Sequence, residues 1–210
     1  MTYKSKIGLR LNVEYTHRDQ DGNIKPIFTE NKLGQTILRF FRKLIKNPIN
    51  ESGQLKEGFL NHLAAFGLQI PYITGNYSYS RKVSNLITTA GKAGVAGLIN
   101  GVITDFFDYI ALGTGTTAAD AADTTLQTES AASGLARALA TLSRVTTDTS
   151  NDTARFVKAF TNTSAGSVAV TEAGILSASS TGTLLARQVF SAVNVAVNDS
   201  ITLTWDIDVD

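Results

Sequence analysis

The sequence predicts a mainly β protein with helices, of the α+β class: a C-terminal antiparallel β-sandwich preceded by a small strand-plus-helix region. Three observations lead there. The stretch ITLTWDIDV alternates Ile201, Leu203, Trp205, Ile207 and Val209 with hydroxyl and acidic residues. That is the two-residue period of a strand covering a core on one side. Short runs of similar character recur from Ala136 onward with turn residues between them, the rhythm of a sandwich. Upstream, two segments instead carry the three- and four-residue spacing of helices.

The elements follow in order. Ile7, Leu9, Leu11, Val13 and Tyr15 alternate as a half-buried strand, DQDGN (19–23) supplies a turn, and IKPIF is the return strand with Pro26 suited to an edge. Asn31 caps a helix expected to run to Asn47 and stop before Pro48. Its apolar side is Leu33, Ile37, Leu38, Phe41, Leu44 and Ile45, and its basic side Arg39, Arg42, Lys43 and Lys46. Residues 50–82 hold a short helix ending at Gly67 and a loop or edge strand bearing Tyr72, Tyr77 and Tyr79.

A second helix is expected from Ser84 to about Ile103, with Gly91, Gly94, Gly97 and Gly101 on one stripe. Glycine costs about 1 kcal/mol per interior helical position. Close backbone approach to a neighbouring element, or to another subunit, is the expected return. Beyond it come a strand YIAL, a hairpin around DTSND (148–152), and strands at Val168–Val170, EAGIL, TLLARQVF and VNVAV. Composition shifts near Gly113: lysine and aromatics are common before it, while Ala, Thr and Ser dominate after it.

The totals exclude several function classes. The chain has 210 residues, net charge +1 and no cysteine. Disulfides, thiolate metal sites and cysteine nucleophiles are therefore out, and no global field recruits nucleic acid. No apolar run reaches the roughly 18 residues of a membrane span, and MTYKSKIGLRLNVEY lacks the apolar core of a signal peptide.

Local motifs exclude more. GTGTTAAD has glycines but not the lysine of a phosphate-binding loop, nor the GxGxxG pattern. Gly113 and Gly115 are read instead as the structural turn that lets the chain leave the YIAL strand through backbone angles other residues avoid, with Leu126 returning to the core. His17 and His62 lie far apart, one in a turn and one in a helix, and read as solvated or capping rather than as metal ligands. Glu129 and Glu172 are candidates for a paired-carboxylate hydrolase, but each is expected to pair with an arginine, Arg137, Arg144, Arg155 and Arg187 being available. DIDVD spaces its acids too widely for one calcium ion, at about 6.6 Å per strand repeat, and reads as an acidic solvent face or a subunit contact. No catalytic, cofactor-binding or metal-binding residue is assigned.

One set of pieces, in order, carries a likeness: SNLITTAGKAGVAGLINGV, DYIALGTGTTAADAADTTLQTE, EAGIL, GTLLARQVF and ITLTWDIDV. Together they resemble a recurring module of tailed-bacteriophage virion proteins, in which a glycine-bearing helix leads to LGTGT, DTxLxxE, EAG and LLAR. The likeness covers residues 84–210, which sets the expected division: 1–83, an N-terminal hairpin and helical region with an inserted loop, and 84–210, the virion module. It implies a β-sandwich building block of a tail, baseplate, neck or fibre, or a capsid decoration protein, with no enzymatic activity. Such a chain is made in the host bacterial cytoplasm and resides in the virion. Its implied partners are copies of itself and other virion proteins, without membrane or nucleic acid. Tyr72, Tyr77, Tyr79 and the four-glycine stripe are the interface candidates, aromatics being enriched in interface cores. Two competing classes remain: a receptor- or carbohydrate-binding module that stacks those tyrosines on a host-surface glycan, and a cell-wall hydrolase using Glu129 and Glu172.

Overall fold

The computed structural model describes residues 9–25, 27–30, 75–78, 81–84 and 86–209. These residues are mostly β, in two antiparallel sheets and one strand pair, with one short helix among them. They fall into two compact units, Met1–Lys25 with Tyr79–Asp210, and Pro26–Ser78. This differs from a boundary at residue 83, because the first strand belongs with the last. β1 (Leu9–Arg18) pairs along its whole length with β13 (Ser200–Val209), from Leu9 opposite Val209 to Arg18 opposite Ser200. In the second unit, β3 (Ile27–Glu30) pairs with β4 (Gly75–Ser78). The helix expected over 31–47, most of the 50–82 segment, His62, Tyr72 and Tyr79 lie outside the described residues. Tyr77 falls in β4, opposite Phe28.

The first sheet runs β2 (Ile24–Lys25), β1, β13, β10 (Thr153–Thr161), β9 (Thr141–Val145), with β5 (Arg81–Ser84) also on the outer side of β1. The second runs β6 (Leu86–Ile87), β12 (Leu184–Val195), β11 (Val168–Leu176), β7 (Tyr109–Gly113), β8 (Ala138–Leu139). Alternation sets which faces are buried: Leu11, Val13, Tyr15 and His17 from β1, and Ile201, Leu203, Trp205 and Ile207 from β13. Tyr15 of the first sheet stacks on Phe190 of the second, ring centroids 4.5 Å apart, a sandwich-like contact. TLLARQVF from Leu184 onward and the first three residues of VNVAV, read as separate strands, belong to one twelve-residue strand, β12. The hairpin at DTSND is β9–β10, and Asp152 closes its turn by accepting the amides of Thr147, Asp148 and Thr149.

The helix, α1 (Thr89–Ile99), is shorter at both ends than the span from Ser84 to about Ile103 expected from the sequence. Its start is fixed by Thr88, whose hydroxyl accepts the Gly91 amide and donates to the Leu184 carbonyl. Its end is a left-handed glycine: Gly101 has φ +73°, its amide reaches Leu98 O, and the Val102 amide reaches Gly97 O. That crossed pair of bonds is how a chain leaves a helix, so Gly101 terminates the stripe rather than extending it. The other three glycines are buried within the chain. A Cβ on Gly91 meets the Leu185 backbone of β12, one on Gly94 meets the Phe107 ring at 2.6 Å, and one on Gly97 meets Ile103 at 2.6 Å. The close approach anticipated from the stripe is therefore to the chain's own β12 and its own 103–107 segment, and these positions offer no surface to another subunit.

Candidate functional site

The pieces of sequence singled out above converge at the end of β7. Past Gly113 the chain makes a long excursion and returns antiparallel to its own start: Thr114 N–H reaches Thr128 O, Ser130 N–H reaches Leu112 O, and Gly113 bridges Glu129. Leu126 carries the returning arm into a buried cluster with Ala111, Leu176 and Leu184.

Glu172 is the hub of this arm. It sits on β11 opposite Gly113 and is fully buried, at 0% exposure. Its Oε1 accepts the amides of Thr128 at 2.7 Å and Gly115 at 3.0 Å. Its Oε2 accepts the Gln127 amide at 3.1 Å and Nε of Arg187 at 2.7 Å. Both carboxylate oxygens are thus saturated by donors, and a buried charge needs that.

Arg187, on the neighbouring β12 and 2% exposed, spends its remaining donors on the same excursion. Nη1 contacts Asp123 Oδ2 at 2.8 Å, and Nη2 donates to Thr117 O at 2.9 Å. Burial works against the Arg187 charge, but Asp123 and Glu172 outweigh it and hold the guanidinium pKa above its usual value. Burial likewise opposes ionisation of Asp123, and the Asp120 amide and Arg187 overcome it, so its pKa lies below the ordinary carboxylate range. The excursion also touches α1, where Thr89 N–H donates to Ala121 O.

The role of the paired glycines changes accordingly. Neither Gly113 nor Gly115 has a positive φ; among the described residues the positive-φ glycines are Gly22, Gly101, Gly134 and Gly182. What requires glycine is space for the carboxylate. A Cβ at Gly113 lies 2.5 Å from Glu172 Oε1 and 2.6 Å from Thr128 O, and one at Gly115 also strikes Glu172 Oε1.

Glu129 faces another partner. Arg137 holds it with two bonds, Nε to Oε1 at 2.9 Å and Nη2 to Oε2 at 2.6 Å, and Nη1 spans to Ala178 O and Thr181 O in the β11–β12 turn. The two glutamates therefore belong to two separate arginine clamps, each closing a loop onto the second sheet. Each of the four carboxylate oxygens accepts at least one hydrogen bond.

A third polar cluster went unseen in the sequence. His17 is buried near the end of β1, not solvated in a turn: the strand runs three residues past Tyr15, to Arg18, and His17 keeps the parity of its buried face. Its Nε2 donates to Asp199 Oδ2 at 2.9 Å, and Lys25 Nζ binds the same oxygen at 2.6 Å. Burial lowers the His17 pKa despite Asp199 beside it. Burial also resists ionisation of Asp199, but Lys25 and His17 more than offset it and depress its pKa. The buried Asn162 secures the same corner, its amide group donating to Gly166 O and Val195 O at 2.8 Å each.

In the closing strand, Asp206 is paired with Arg155 across β10–β13 at 2.7 and 2.9 Å, and Asp208 is buried beside Thr153. No group of three or more metal-ligating side chains occurs among the described residues, and no described helix is long and apolar enough to cross a membrane.

No protein-family model, no curated protein and no solved structure matches the chain.

Proposed function

We propose that the chain is a non-enzymatic structural component of a tailed-phage virion, of the tail, baseplate or neck, resident in the particle and docking on copies of itself and on neighbouring virion proteins. One observation carries the reading. LGTGT, DTxLxxE, EAG and LLAR, far apart in sequence, meet in a single buried network centred on Glu172 and Arg187. Gly113, Gly115, Asp123, Glu172 and Arg187 together fasten one loop, with Glu129 held apart by Arg137, and that economy suits a scaffold. Catalytic carboxylates instead need a free oxygen and a substrate cleft, and both glutamates here are taken up by arginines. A sandwich-like arrangement of the two sheets suits the same role, since its rigid faces can repeat across an assembly.

Immunogold labelling of the phage particles whose genome encodes the chain tests the reading. Label at one fixed position on the tail or baseplate is the expected result. A protein abundant in lysates but missing from purified particles would overturn it.

A further inference from the structure

Five exposed apolar side chains of the first unit stand at the end of α1 and on the cleft beside it. Ile99 and Val102 are 81% and 80% exposed, Phe106 is 68% exposed, and Leu142 and Val209 are half exposed. Phe106, Leu142 and Val209 also rim an apolar cleft of about 300 Å³ whose walls include Leu98 of α1 and Ile207 of β13. Ile99 and Val102 flank the glycine turn that ends α1. We propose that this patch is the contact between two copies of the chain, related by a two-fold axis.

Area, charge and edge geometry favour a second copy as the occupant. A large apolar side chain fully open to solvent offers roughly 100 Å² of apolar surface. The five residues then show roughly 300 Å², before the cleft walls are counted. The smallest stable protein–protein interfaces bury about 600 Å² per partner, and about 65% of a homodimer interface is apolar. The patch supplies most of that. Asp105 next to Phe106 and Arg144 near Leu142 are both exposed and have no ion-pair partner among the described residues. Two copies meeting on this face bring one charge of each sign from either side, and a net charge of +1 sets up little repulsion between them. β9 borders the patch through Leu142 and, among the described residues, has a strand on one side only, as an edge open to extension does.

The inference rests on the reading of the chain as a self-associating particle component and locates the contact. Sedimentation velocity of the full chain over a wide concentration range, for the natural sequence and for Val102→Asp/Phe106→Asp, tests it. Ile24→Asp/Val197→Asp, which alters exposed apolar residues elsewhere, is the control. The natural chain and the control should form dimers, and the patch variant should associate at least about thirtyfold more weakly, the loss of a hot spot, with an unchanged melting temperature. If the patch variant does not fold, Leu142→Lys takes its place. Dimers that persist in the patch variant overturn the inference and leave the virion reading standing. A natural chain that stays monomeric at every concentration also overturns it, whereas the virion reading falls only if the particles carry no label.

Discussion

Replacing Glu172 by Gln keeps the shape of the side chain and removes its charge. Four donors converge on the two carboxylate oxygens: three loop amides and the Arg187 guanidinium. In glutamine one of those oxygens becomes an NH2 group, which points a donor at two donors whichever way the amide turns. Arg187, 2% exposed, keeps Asp123 and loop carbonyls but loses its only buried counter-charge. Removing one member of a buried pair costs about 3–5 kcal/mol. In a protein of this size that is a fall of roughly 6–20 °C in melting temperature. Urea unfolding followed by circular dichroism measures it, alongside Arg187→Gln and the double variant. The double variant should cost clearly less than the two single changes together, with a coupling of about 1–3 kcal/mol. A Glu172→Gln protein within about 0.5 kcal/mol of the natural one, the range of an ordinary surface change, would refute the hub role.

Three further outcomes follow. Gly113→Ala should destabilise by about 1–3 kcal/mol through overpacking, because the nearest atoms are the buried Glu172 carboxylate and the Thr128 carbonyl; a neutral result in the same unfolding assay would mean the loop yields. Asn162→Ala should cost about 1–3 kcal/mol by leaving the Val195 carbonyl without its donor in a buried site, read as a shift in urea midpoint. The pH dependence has a definite sign. His17 has its pKa lowered by burial, so the unfolded chain takes up its proton first, and stability falls as pH drops below about 6.5 toward the folded value. Thermal melts of His17→Asn against pH should lack that slope; an identical slope in both proteins would assign it to another group.

The alternation of β1 and β13 was legible because each has one buried face, and a buried face imposes a two-residue period. YIAL and EAGIL were legible as short apolar runs of strands buried on both faces, and the hairpin around residues 148–152 by its turn residues. The limits of α1 were not, since glycine at four regular positions describes a stripe equally well whether the last one packs or terminates. Only the left-handed φ of Gly101 separates these. Nor could spacing reveal that β1 lies beside β13 at the far end of the sequence.

The site was half legible. Glu129 and Glu172 each find an arginine from the expected set, but which one depends on the register of β11 against β12 and on the path of residues 114–130. The glycines of GTGT carried a correct location and a different cause: sequence marks where a side chain is missing, not whether an angle or a neighbouring atom requires its absence. His17 was hidden because a histidine two residues past the last aromatic of a strand looks like the start of a turn.

Amide hydrogen exchange on the natural protein reaches the core of the matter most directly. If Glu172 fastens the loop, the amides of Gly115, Gln127 and Thr128 should exchange as slowly as those in the middle of β11 and β12, opening only with global unfolding. Exchange of those three amides at the rate of an open loop, with β11 and β12 still protected, would contradict the latch and the scaffold built on it.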